Sequence, residues 1–191
     1  MNLTDIHPRL TLPNLISGIR FLTAPIMLWL AWYGYGVLFM TVLAIAFLSD
    51  VLDGLAARVT GQMTQFGAML DSWADLLTYM TIGFGSWWLW PDIVHREDIY
   101  LYTILACYLV PASCAIIKFD TYASYHTWGV KIAATSIGLS LYPLFLGGPA
   151  WPFRIAVMIY VIAALEEVAI TLTLTKIQSN VRTIWHVLQQ R

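Results

Sequence analysis

Asp50, Asp53, Gly54, Ala57, Arg58, Gly67, Asp71 and Asp75 form one spaced constellation, and it places four carboxylates inside two stretches that are otherwise strongly apolar. An ionised side chain near the centre of a bilayer costs between about 2.5 and more than 10 kcal/mol, so such acids are expected to face a cavity and bind something positive. Asp50 and Asp53 are three residues apart and Asp71 and Asp75 four apart, so on helices each pair occupies one face. Oxygen donors converging without His or Cys suit a hard cation such as Mg²⁺ or Mn²⁺ and disfavour zinc or copper. Against four carboxylates one divalent ion leaves much charge uncompensated, so two ions are the expected count.

The neighbouring residues turn a metal site toward phosphate. Gly54 follows an acid directly and has no Cβ, which lets a ligand approach the backbone, and Gly67 offers the same on the facing stretch. Arg58 adds a planar fork that matches phosphate oxygens. Thr64, between the two stretches, offers a hydroxyl to a phosphate or a base. Each residue also has a plainer reading: glycines in membrane helices serve close packing, and a lone Arg sets topology.

Membrane helices must position these groups. The chain has 191 residues, 59% of them hydrophobic and only 11% charged, with a mean hydropathy of +0.70, too apolar for a soluble domain of this length. A net charge of −1 argues against nucleic acid, whose backbone is gripped by excess Lys and Arg. Cys107 and Cys114 read as small apolar residues of one segment. Six stretches approach the roughly 20 residues that cross a bilayer as helix, at residues 14–33, 36–58, 66–90, 99–118, 129–147 and 152–175, punctuated by Gly34, Gly36, Gly61, Pro91, Gly147, Gly148, Pro149 and Pro152. The expectation is an all-α integral membrane protein, a six-transmembrane-helix bundle forming one domain over residues 1–191. Residues 1–13 are read as a short interfacial helix or a frayed terminus. The N-terminus lacks a signal-peptide pattern, so the first span is expected to stay as an uncleaved anchor. With the N-terminus cytoplasmic, Arg9, Arg20, Arg58, Lys118, Lys131, Lys176, Arg182 and Arg191 fall at or near the inner side, leaving Arg96 and Arg154 outside. Asp50 lies eight residues before Arg58, and Asp75 eight after Gly67, a depth of about 12 Å below the cytoplasmic loop. Six tryptophans, Trp29, Trp32, Trp87, Trp88, Trp90 and Trp151, fit an outer interfacial belt.

The constellation resembles the signature of the CDP-alcohol phosphotransferase family, D-x2-D-G-x2-A-R-x8-G-x3-D-x3-D, with no departure at any fixed position from Asp50 to Asp75. A chance match of these positions in one chain is rarer than about one in a million. Pro13, Asn14, Leu15, Ile16 and Ser17, with Arg20 and Pro25, are similar to the start of the first span in the phosphatidylglycerophosphate synthases of that family. The resemblance implies a transferase that takes a phosphatidyl group from a CDP-alcohol, commonly CDP-diacylglycerol, passes it to an acceptor hydroxyl and releases CMP. It implies that Asp50, Asp53 and Asp71 ligate metal, and that Asp75 is the general base and a ligand of the second ion. Gly54, Arg58, Thr64, Gly67 and Ser17 would hold the donor. Two cations can neutralise the pyrophosphate and leaving CMP while a carboxylate takes the hydroxyl proton. A homodimer is also implied. The inner membrane of a bacterium is the expected location, and the distribution of basic residues puts both termini and the active site on the cytoplasmic side.

Lys118, His126 and Lys131 surround the second cytoplasmic loop and offer a basic pocket to a phosphorylated acceptor, though positive-inside topology explains them too. Glycerol 3-phosphate is the first expectation; serine, inositol phosphate and other alcohols stay open. Glu166 and Glu167 lie at a depth like that of Asp50 and Asp75, and neighbours on a helix diverge by about 100°, so at most one points squarely into the same cavity. One is expected to support the cavity by a hydrogen bond and the other to pair elsewhere or be protonated, with structural helix pairing as the alternative. His95, Arg96, Glu97, Asp98 and Arg154, on the outer side, are expected to need only solvent. A noncatalytic scaffold and an ion or proton carrier are the rival classes; the second has no need of Gly54, Arg58 and Gly67 at fixed offsets.

Overall fold

A computed structural model describes residues 12–60, 65–120, 127–174 and 183–185; at 12–17, 53, 54, 56–58, 60, 65, 66, 68, 71 and 72 it describes the backbone alone. The described residues form seven helices: α1 (Leu12–Trp32), α2 (Gly36–Thr60), α3 (Gln65–Leu89), α4 (Pro91–Arg96), α5 (Asp98–Phe119), α6 (Trp128–Phe145) and α7 (Trp151–Thr173). The six long helices match the expected apolar stretches to within two residues at every end; the short α4 is an addition. Of the proposed interfacial segment, residues 1–11 lie outside the described residues.

Two units result, Met1–Pro91 and Asp92–Arg191. In the first, α1 packs against both α2 and α3, which have little direct contact with each other. One stripe of α1 is buried, through Arg20, Ala24, Met27 and Ala31, the i, i+4, i+7, i+11 spacing of a single helical face. α1 ends where Gly34 takes φ +78°, letting Tyr35 N–H donate to the Leu30 carbonyl at 2.9 Å and satisfying an end of the helix at no steric cost. Near this turn Phe39 is fully buried against Gly85, where a Cβ would overlap the ring. The ring of Trp90 meets Phe39 edge-on at 6.0 Å, so Trp90 packs inward while Trp29, Trp32, Trp87, Trp88 and Trp151 remain exposed. Glycine notches filled by large side chains are how membrane helices gain packing when burial from water is not available as a driving force.

In the second unit α7 packs against α5 and α6. Ala156, Ala163 and Ala164 are buried on α7, small enough for close approach, and at Gly129 of α6 a Cβ would stand 3.2 Å from that of Ala163. Thr127 begins α6 as a true cap, its side chain accepting from Val130 N–H. α5 and α7 are long and apolar enough to cross a membrane, and α1 and α2 contribute shorter apolar stretches, Gly18–Trp32 and Gly36–Leu52. Large apolar side chains remain exposed along every long helix, a surface that hydrocarbon accepts and water does not.

The residues expected on the outer side depart from that reading. Glu97 is buried, with 1% of its side chain exposed, and accepts from Arg154 Nε and Nη2, both at 2.9 Å, and from Arg96 Nε at 3.0 Å. Solvent alone therefore does not account for these residues: the fork of Arg154, 57 residues along the chain, ties the start of α5 to the start of α7. The hydrogen bonds to Arg154 hold the Glu97 carboxyl below its ordinary value of 4.5, with Arg96 adding to the effect against the opposing pull of burial. Because the folded value is depressed, the stabilisation is present above pH 4.5 and is lost as pH falls through the folded value. Glu97→Gln is expected to cost about 1–2 kcal/mol, below the usual loss for a buried charged partner because both arginines reach solvent. Thermal unfolding in detergent should show that loss at pH 7 and its disappearance as acid closes the gap; an unchanged midpoint at pH 7 would refute it.

Candidate active site

Arg20, Asp50 and Asp75 come from three helices to one point. Arg20 Nη1 donates to Asp50 Oδ1 at 2.7 Å and also to Asp75 Oδ1. Since both carboxylate oxygens touch a single nitrogen, Asp50 and Asp75 lie no farther apart than two hydrogen-bond lengths. The guanidinium is 1% exposed, whereas the two aspartates keep 46% and 39% of their side-chain surface. The cation is therefore the buried member of the group, and both carboxylates keep part of their surface exposed. Its position has a clear cause: α1 is the helix that packs on both α2 and α3, and Arg20 belongs to its buried stripe. A guanidinium in an apolar interior demands anionic partners, and two neighbouring carboxylates repel each other without a cation between them.

The rest of the quartet follows the helices. Asp53 stands one turn beyond Asp50 on α2, and Asp71 one turn before Asp75 on α3; their side chains, like those of Ser17 and Arg58, lie outside what is described, and Gly54 is described as a position on α2. Gly67 is partly buried on α3. Thr64 and His126 lie outside the described residues. Among the described residues no three His, Cys, Asp or Glu side chains converge; the pair Asp50 and Asp75 does. That pair fits the implied metal, because both donors are oxygens and a single guanidinium nitrogen already draws an oxygen from each helix.

Two basic residues expected around an acceptor belong to the second unit. Lys118 Nζ donates to the carbonyls of Thr171 and Leu172, at 3.0 and 2.8 Å, closing the C-terminal end of α7. Lys131 is exposed, with its ammonium 5.7 Å from the Trp128 ring centre. Glu166 Oε1 accepts from Ile184 N–H at 3.1 Å, and its Oε2 lies 3.1 Å from where a Gly129 Cβ would be. The glycine thus makes room for this carboxylate, and Glu166 pairs with backbone. Glu167 is partly buried one position on.

Arg20 is the site residue to which the sequence reading gave no role, having noted it only among the inner-side basic residues and in the resemblance of the first span. The signal was present: an ionisable side chain inside an apolar span is by default a functional residue with a partner to be found.

With this geometry, the chain belongs to the CDP-alcohol phosphatidyltransferase family, whose model matches residues 10–178 and so runs across both units. Among curated relatives, it is 28% identical over 180 residues to a probable phosphatidylglycerophosphate synthase of Mycobacterium tuberculosis, covering 84% of this chain and 77% of that protein. It is 32% identical over 101 residues to an archaetidylinositol phosphate synthase of Pyrococcus horikoshii, covering 53% and 52% of the two chains. Over 71 residues, 36% of each chain, it is 42% identical to the CDP-diacylglycerol--glycerol-3-phosphate 3-phosphatidyltransferase of Pseudomonas fluorescens. No solved structure matches the chain significantly.

Proposed function

We propose that the protein transfers a phosphatidyl group from CDP-diacylglycerol to the hydroxyl of glycerol 3-phosphate, releasing CMP in phospholipid synthesis. The observation that carries this reading is the meeting of Asp50 and Asp75, from two helices, within a complete family signature. The names of the relatives support the acceptor: those of Mycobacterium tuberculosis and Pseudomonas fluorescens point to glycerol 3-phosphate. Serine, inositol phosphate and other alcohols are the competing acceptors.

Asp50, Asp53, Asp71 and Asp75 would hold two Mg²⁺ ions, with Mn²⁺ as an acceptable substitute. When bound, these cations supply neutralisation of the pyrophosphate and of the CMP that leaves. Asp75 takes the proton of the acceptor hydroxyl as its oxygen attacks the phosphorus of the phosphatidyl group. The bond from that phosphorus to the bridging oxygen breaks, and CMP departs with the electron pair. Arg58 is assigned to grip donor phosphate, Gly54 and Gly67 to let the nucleotide approach backbone, and Thr64 and Ser17 to hydrogen-bond it. Lys131, with His126, is assigned to the acceptor, and Lys118 to the same basic surface by its third donor.

In this reading the six long helices all span the bilayer as one domain, with both termini in the cytoplasm of a bacterium and the site at the inner face. The donor's acyl chains can then remain among lipids while its nucleotide enters a polar cavity. A homodimer completes the reading, on the strength of the family resemblance. Purified protein in nanodiscs with Mg²⁺ and CDP-diacylglycerol should release CMP when glycerol 3-phosphate is added, and far less with serine or inositol phosphate. CMP release with another alcohol alone would replace the acceptor; none with any alcohol would overturn the activity.

A further inference from the structure

We propose that Arg20 is a built-in counter-cation of the metal site, holding Asp50 and Asp75 together when no divalent ion is bound and competing with that ion for their oxygens. The proposal rests on the reading that these two aspartates ligate a divalent cation.

Arg20 meets every physical requirement of such a placeholder. Its guanidinium is permanently charged, so its hold does not depend on pH in the physiological range. It is 1% exposed and comes from α1, a third helix that carries neither acid, so it bridges α2 and α3 where those helices have little direct contact. One nitrogen serves one oxygen of each carboxylate. A divalent ion drawn to the same oxygens meets a like charge within a few ångströms, and that repulsion is strong where water is scarce. Either the guanidinium withdraws toward one aspartate or the ion binds more weakly than the carboxylates alone would allow. In exchange, the metal-free site stays assembled rather than being pushed open by repulsion between the acids. A residue that served packing alone would affect stability and leave metal affinity where it was.

Full-length protein in nanodiscs allows the test: Mn²⁺ binding by electron paramagnetic resonance, and thermal midpoints in EDTA and in Mg²⁺. Arg20→Gln should tighten Mn²⁺ binding by on the order of tenfold, lower the midpoint in EDTA, and recover more stability with Mg²⁺ than the wild type does. Arg20→Lys keeps the charge but loses the planar fork, so Mn²⁺ binding should tighten by a smaller factor; it decides the matter if Arg20→Gln does not fold. Equal or weaker Mn²⁺ binding in the folded variants overturns the proposal, even if both are less stable. Loss of Mn²⁺ binding in Asp50→Asn alongside unchanged binding in the Arg20 variants overturns the role of Arg20 and leaves the metal reading standing. A wild type that binds no Mn²⁺ overturns both.

Discussion

Asp75→Asn is expected to slow CMP release by about 10²–10⁴-fold, the usual worth of a positioned general base, while CDP-diacylglycerol still binds. Asparagine has nearly the shape of aspartate but cannot take a proton from the acceptor. The fold should survive the change, because Arg20 keeps its 2.7 Å bond to Asp50 and so is not left as an uncompensated buried charge. Asp50→Asn should differ in kind: as a metal ligand without a role in proton transfer, it should weaken metal and donor binding together with turnover. Single-turnover assays with separate donor-binding measurements distinguish the two. Equal losses of binding and turnover in both variants would mean that Asp75 is a ligand only, and unchanged CMP release in Asp75→Asn would remove it from the chemistry.

Removing divalent cations should have an effect at least as large. With EDTA in excess CMP release is expected to cease, returning with Mg²⁺ or Mn²⁺ and not with Zn²⁺, since the donors are carboxylate oxygens without nitrogen or sulfur. The four aspartates carry four negative charges, which Arg20 and Arg58 offset only by half, and the donor brings a pyrophosphate of the same sign. Without cations the site therefore repels the molecule it must bind, so donor affinity should fall along with rate. The same measurement separates the rival classes: a scaffold that kept the fold without its chemistry would bind the nucleotide and release no CMP, and an ion carrier would show no metal-dependent nucleotide affinity. Turnover that persists in EDTA would sink the metal assignment.

Much of this was legible in the linear chain because it depends on local spacing. Helix boundaries follow from apolar runs broken by glycine and proline, and the bilayer requirement that backbone groups be bonded within each span leaves little choice but helix. Acids three and four residues apart share a helix face whatever surrounds them, and the signature from Asp50 to Asp75 needs no coordinates to be recognised. What depends on contacts between distant residues was not legible. Arg20 is 30 residues from Asp50 and 55 from Asp75, and nothing in its own neighbourhood says that α1 packs against both α2 and α3. Glu97 looked like an exposed loop acid because its partner Arg154 lies 57 residues away. Lys118 read only as a basic residue near an acceptor, and its bonds to two carbonyls at the end of α7 came from packing. Spacing along one helix fixes which residues share a face, but which charge meets which is decided only when separate helices pack, since a buried ion takes whatever opposite charge the tertiary arrangement brings within reach.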